Sequence, residues 1–180
     1  MATVLQCVTG SIAVYKAADL TSKLVQKGHD VHVVMTRSAT ELVRPRTFSA
    51  LSRNPVHSDL WDPAYAHMTE HISLAEMPDI VVLAPATANT LGKIANGIAD
   101  EIVTTTLLAV TVPVLVAPAM NVHMYEHPAT QRNLERLKSF GYRFVEPGVG
   151  YLACGDTGVG RMAEPAEIVD AVEAALDPTA

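Results

Sequence analysis

A doubly wound parallel α/β sheet, flavodoxin- or Rossmann-like and held in a single domain over residues 1–180, is the fold this sequence predicts. Short runs of β-branched and apolar residues alternate along the chain with longer stretches of helical periodicity. The runs are apolar at nearly every position, as expected of strands covered by helices on both faces. At 180 residues and 49% apolar, the chain can bury a substantial core and has no composition of disorder.

Taken in order, Thr3 to Val8 reads as the first strand and Thr9-Gly10-Ser11 as the turn after it. A helix follows with Ala13, Ala17, Leu20 and Leu24 on one face, closed by Gly28. Val31 to Met35, Asp79 to Ala84 and Pro113 to Ala117 are the next three strands. Thr130 to Phe140 is helical, Gly141 ends it, and Tyr142 to Val145 is a fifth strand. A last helix covers Pro165 to Leu176. Between these, Pro147 to Arg161 holds Gly148, Gly150, Gly155, Gly158 and Gly160. That segment is expected to be a mobile loop without regular structure, a clamp over 147–162.

Composition narrows the functional classes. A net charge of −6, with scattered basic residues, argues against a nucleic-acid surface. No apolar run is long enough to span a bilayer, and MATVLQCVTG has no signal-peptide pattern. Two cysteines, Cys7 in a strand and Cys154 in the Gly-rich segment, form no disulfide framework and suit a reducing cytoplasm. No CxxC or HExxH spacing occurs, so no metal is expected.

In an open parallel sheet, ligands bind outside the carboxyl ends of the strands. Four post-strand segments would share that edge: Thr9 to Ile12, Thr36 to Ser38, Pro85 to Thr90, and Pro118 to Asn121. Each is rich in small, hydroxyl or amide residues, which also make ordinary turns and helix caps. Helix-start N–H groups aided by Ser and Thr hydroxyls can hold a phosphate without net positive charge. Neither GxGxxG nor GxxxxGK[ST] is present, so a mononucleotide such as FMN fits better than a dinucleotide.

Three side chains could carry chemistry. His71, before Ile72-Ser73-Leu74, is either a helix cap or surface residue, or a group that moves a proton near neutral pH. Asn121 is either a turn residue or an amide donor to a carboxylate. Cys154 sits beside Asp156 in the Gly-rich segment, an odd place for a structural cysteine, whereas Cys7 belongs to the core. Lys93 and Arg161 are candidate phosphate contacts, but a solvated surface position is the preferred reading for both.

These residues lie in longer stretches that resemble the homo-oligomeric flavin-containing cysteine decarboxylases. The matching stretches are VTGSIAVYKAADL (8–20), HISLAE (71–76), APATANTLGKIANGIAD (84–100), APAMNVHMYEHP (117–128) and ACGDTGVGRMAEP (153–165). The similarity is strongest to the members that serve coenzyme A synthesis. It implies FMN held by Gly10, Ser11, Ile12, Thr36, Ser38, Thr87, Ala88, Asn89, Thr90 and Ala119. It also implies an active-site His71, and a substrate carboxylate bound by Asn121 beside Met120. Ala153, Cys154 and Gly155 would lie in the substrate clamp, with Cys154 catalytic.

The chemistry so implied is decarboxylation of a terminal cysteine, in the leading case 4'-phospho-N-pantothenoylcysteine. Oxidation of the thiol to a thioaldehyde places a C=S group β to the carboxylate, where it accepts the electrons left by carbon dioxide. The resulting enethiolate is then reduced to the saturated thiol, with Cys154 as proton donor. Relatives that act on peptide C-termini stop at the enethiol and commonly lack that cysteine, so a peptide substrate is the alternative. A non-catalytic regulatory flavoprotein is a third reading, disfavoured because His71, Asn121 and Cys154 are all present. The resemblance further implies a homotrimer or homododecamer with the flavin at a subunit contact. Since no ligase domain follows the match, a stand-alone decarboxylase is expected.

Overall fold

The computed structural model describes residues 1–62, 70–151, 155 and 157–177. Its main sheet holds β1 (Thr3–Val8), β2 (Asp30–Met35), β3 (Val56–His57), β4 (Ile80–Ala86), β5 (Val114–Pro118) and β6 (Arg143–Phe144). The spatial order is β3-β2-β1-β4-β5-β6, and every neighbouring pair is parallel. This order reverses direction between β1 and β4, which makes the crevice beyond their carboxyl ends the natural ligand site.

Helices cover both faces because the strands are apolar on both. Val4, Val8, Val33, Ile80 and Val82 pack on one side against α1 (Val14–Gln26), α3 (Pro45–Ser52) and α9 (Pro165–Leu176) through Leu20, Leu24, Phe48 and Ile168. Leu5, Cys7, Val34, Val81 and Leu83 face the other side. There they meet Leu74 of α4 (Glu70–Glu76), Leu91 of α5 (Ala88–Ala95), Ile102 of α6 (Ile102–Ala109) and Leu134 of α8 (Pro128–Ser139). Each fully buried large side chain contributes about 1.5–3 kcal/mol. Cys7 is fully buried, and desolvation drives its thiol far above the ordinary range, so it stays protonated as the core residue expected.

One polar residue crosses this apolar interior. Gln6 is buried on β1, donates to the Ala17 carbonyl at 3.0 Å, and accepts from the Thr21 hydroxyl at 2.7 Å. Both ends of its amide are therefore satisfied by α1, which fixes the seating of that helix on the sheet.

The expected strands and the three expected helices are all present, and α9 has the expected bounds. Shorter elements were not foreseen: α2 (Arg37–Leu42), α3, α5, α6, α7 (Val122–Glu126) and the two-residue β3. The absence of regular structure expected for the Gly-rich segment is incorrect. Gly148–Tyr151 (β7) and Thr157–Arg161 (β8) form an antiparallel two-stranded sheet. Its Gly158 and Gly160 serve close approach. A Cβ at Gly160, whose φ is +131°, would fall 2.3 Å from the Met120 carbonyl oxygen.

No helix among the described residues is long and apolar enough to cross a membrane.

Candidate active site

Four loops converge at the carboxyl edge because four parallel strands end there. Thr9, at the end of β1, is the fastening between the two central ones. Its hydroxyl donates to the Pro85 carbonyl at 2.6 Å and accepts from the Thr87 N–H at 3.1 Å. On one side, Gly10 lets the loop after β1 touch the loop after β2. A Cβ there would lie 2.4 Å from Ser38 Cβ and 3.0 Å from the Ser38 carbonyl carbon. On the other side, the Ala119 N–H donates to the Ala86 carbonyl at 3.0 Å, joining the ends of β4 and β5.

The loops enclose a cavity of about 730 Å³, within the range of about 300–1,000 Å³ typical of cofactor and small-molecule sites. Gly10, Ser11 and Ile12 line it from β1, Thr36 and Ser38 from β2, Thr87, Ala88, Asn89 and Thr90 from β4, and Ala119, Met120 and Asn121 from β5. Every residue expected to hold FMN is thus brought to one cavity, together with two of those expected to hold substrate.

Several of these side chains cap helices as well. Thr36 Oγ1 accepts from the Ala39 N–H at 3.2 Å at the start of α2, and Thr87 Oγ1 accepts from the Thr90 N–H at 3.3 Å at the start of α5. The first turn of α1, by contrast, has no side-chain cap at Ala13. Residues at the N-termini of these three helices line the cavity, an arrangement suited to a phosphate. Asn121 Oδ1 accepts from the His123 N–H at 2.8 Å, opening α7. That bond fixes the orientation of the amide and makes Nδ2 its donor end.

The hairpin forms the remaining wall. The Met120 N–H donates to the Gly160 carbonyl at 2.9 Å, so β8 is bonded to the segment that carries Asn121. Tyr151, Gly160, Arg161 and Met162 line the cavity from this side. Gly155 lies beside the Tyr151 hydroxyl but does not line the cavity. Ala153 and Cys154 lie outside the described residues.

His71, like Gly155, stands apart from the convergence. It is half-buried in the first turn of α4 and does not line this cavity. Its neighbour Glu70 bonds His57 at the end of β3. Since α4 leads down into β4, its first turn is nevertheless at the carboxyl edge of the sheet.

Sequence reasoning missed Lys16, Arg37, Glu101 and Met124, and set aside Lys93 and Arg161; all six line the cavity. Lys16 had a signal: it falls on the apolar stripe of α1 and interrupts it. Lys93 and Arg161 both line the cavity wall, where Arg161 keeps the solvent exposure expected of it and Lys93 is less exposed. Glu101 had no local signal, because it reaches the site only through the packing of α6. Its carboxylate is occupied, accepting from the Val103 and Thr104 N–H groups at 3.0 and 2.8 Å.

This fold and site define a nucleotide-binding α/β flavoprotein, and the comparison with known families agrees. The chain matches the Flavoprotein family model over residues 1–177 and belongs to that family. Among curated proteins it is 56% identical to the coenzyme A biosynthesis bifunctional protein CoaBC of Bacillus subtilis, over 94% of this chain and 42% of that one. It thus spans less than half the length of that relative. It is 46% identical to a Streptococcus mutans protein named "Probable phosphopantothenoylcysteine decarboxylase", over 96% of this chain and 98% of the relative. Among solved structures it superimposes with a TM-score of 0.86 and 33% identity on a Cys-to-Ser mutant of PPC decarboxylase complexed with pantothenoylaminoethenethiol, covering 96% of both chains. The FMN-dependent cysteine decarboxylase SpaF matches with a TM-score of 0.82 and 32% identity over 97% of each chain.

Proposed function

We propose that this chain is an FMN-dependent decarboxylase that converts 4'-phospho-N-pantothenoylcysteine to 4'-phosphopantetheine in coenzyme A biosynthesis. The observation that carries this reading is the single cavity at the switch point, lined by all ten residues expected to hold FMN. The high identity to two relatives named for this pathway supports the substrate.

The residues present fit FMN. The cavity volume is suitable, the Ser11, Thr36, Ser38 and Thr90 side chains supply hydroxyl groups, and three helix N-termini meet there. When bound, FMN supplies the two-electron acceptor that gives a cysteine carboxylate a route to lose carbon dioxide. The chain's own groups do the rest. Asn121, oriented by its bond to His123, offers the donor end of its amide to the substrate carboxylate. Met120, tied to Gly160, holds the hairpin against that wall. Residues 147–162 act as the substrate clamp, Ala153 and Gly155 contact the substrate, and Cys154 delivers the proton that completes the saturated thiol.

His71 moves a proton in the same reaction, and its place outside the cavity of its own chain fits a site completed by a second subunit. A homotrimer, or a dodecamer built from trimers, is the assembly proposed. The low cysteine content fits a cytoplasmic setting.

Mass spectrometry of the products formed from phosphopantothenoylcysteine tests the reaction. Loss of carbon dioxide alone is expected. Loss of carbon dioxide plus two hydrogens would mean that the reaction stops at the enethiol and would remove the role given to Cys154. No reaction from yellow, FMN-loaded protein would point to a peptide substrate instead.

A further inference from the structure

Where the hairpin meets α1 and α9, one carboxylate oxygen serves two cations. Glu164 Oε1 accepts from Lys16 Nζ at 2.9 Å and from Arg161 Nη2 at 2.8 Å. At the start of α9 the Glu164 N–H donates to Glu167 Oε2 at 2.7 Å, which fixes the cap residue in place. Lys16, and to a smaller extent Arg161, holds the Glu164 carboxyl below its ordinary range, so it is ionised at neutral pH. Two cations and one carboxylate leave this group with one positive charge in excess.

That charge is displayed at Arg161. The Lys16 side chain is only 7% exposed, and it donates also to the Met162 carbonyl at 3.0 Å. Arg161 is 46% exposed on the cavity wall, and a single bond to Glu164 engages one edge of its guanidinium. The absence of a side chain at Gly150 makes room for Nη1, which a Cβ there would approach to 3.3 Å. The guanidinium therefore keeps N–H groups beyond its bond to Glu164, on a residue that lines the cavity.

The other lining charges do not duplicate this. Lys93 is neutralised by both oxygens of Asp100, at 2.7 and 2.9 Å. Arg37 follows β2, with β1 and β4 between it and the wall after β5 on which β8 docks. Among the described residues the cavity is lined by Lys16, Arg37, Lys93 and Arg161 against Glu101. With the partners Asp100 and Glu164 counted, one positive charge is left in excess there, in a chain of 13 Lys and Arg against 19 Asp and Glu, and it attracts anions.

We infer that Arg161 is the specificity-determining residue for a phosphate monoester on the substrate, distal to the cysteine carboxylate. This rests on the decarboxylase reading above and deepens it: the clamp selects a phosphorylated cysteine conjugate by its charge. A guanidinium pre-aligned by Glu164 suits two parallel bonds to phosphate oxygens.

The test compares kcat/KM for phosphopantothenoylcysteine and for pantothenoylcysteine lacking the phosphate. Wild type, Arg161→Met, Arg161→Lys and Arg37→Met are measured, with bound flavin read by visible absorbance. Wild type should prefer the phosphorylated substrate. Arg161→Met should shrink that preference by about 10- to 100-fold, mainly through KM, and Arg161→Lys should keep part of it. Equal losses on both substrates would make Arg161 a support for the hairpin only and overturn the inference. So would a wild type without preference, or a preference that collapses in Arg37→Met instead. FMN-loaded wild type that decarboxylates neither compound would remove the underlying reaction, and the inference with it.

Discussion

Thr36, Thr87 and Asn121 each serve twice, once as a helix cap and once as a cavity wall. The double use explains why they were legible: a cap has a residue preference and a position relative to an apolar run, and both are visible in a sequence. Glu164 is the opposite case, since its importance comes from Lys16, far away along the chain. Its carboxyl is depressed in the folded protein, chiefly by Lys16, so it stabilises the fold above the ordinary carboxylate value, and this contribution is lost as the pH falls below that value through the lower folded one. With half its side chain exposed, the pair is screened and contributes under about 1 kcal/mol. The difference in Tm between wild type and Glu164→Gln is expected to close as the pH falls from neutral to well below the ordinary carboxylate value. Thermal melts across that range check it, and a gap that stays constant to the acid end would contradict the pairing. Lys16 left a trace, as the charge that interrupts the apolar stripe of α1, but its partner across the fold left none.

At the scale of elements, long apolar strands and helices with a clean stripe were readable, and short elements were not. α2, α5 and α7 owe their existence to caps and to the loops they terminate, with too few residues to show a period. The hairpin was misread because glycine has two meanings, freedom and closeness, and composition does not separate them. Closeness applies at Gly160, where a Cβ would strike the Met120 carbonyl oxygen, whereas at Gly158 it would meet the Val122 side chain at 2.7 Å. Backbone cannot yield as a side chain can. Gly160→Ala should therefore cost about 1–3 kcal/mol and weaken decarboxylation, and Gly158→Ala should be the milder of the two. Chemical denaturation and steady-state kinetics of the two variants give the comparison, and equal effects would argue against the docking of β8 on Met120.

For the molecule as a whole, the alternation of strands and helices is enough to define the class of fold, and the rule of the carboxyl edge locates the site from the strand pattern alone. The order β3-β2-β1-β4-β5-β6 was not legible, because strand pairing is long-range and leaves no local trace. Nor was the separation of His71 from the cavity, since its partners lie across the fold. The assembly proposed above gives that separation a reason. Static light scattering at micromolar concentration should return a mass of three chains or a multiple of three, and a single-chain mass would leave His71 without access to the site.

The hairpin touches the flavin-side loops mainly through the backbone bond between Gly160 and Met120. A joint made of main chain is indifferent to the side chains beyond it. Val149, exposed on β7, is consequently free to vary during evolution without disturbing the cradle beneath. Such a scaffold can change the outer face of its hairpin while the cofactor-side loops stay the same.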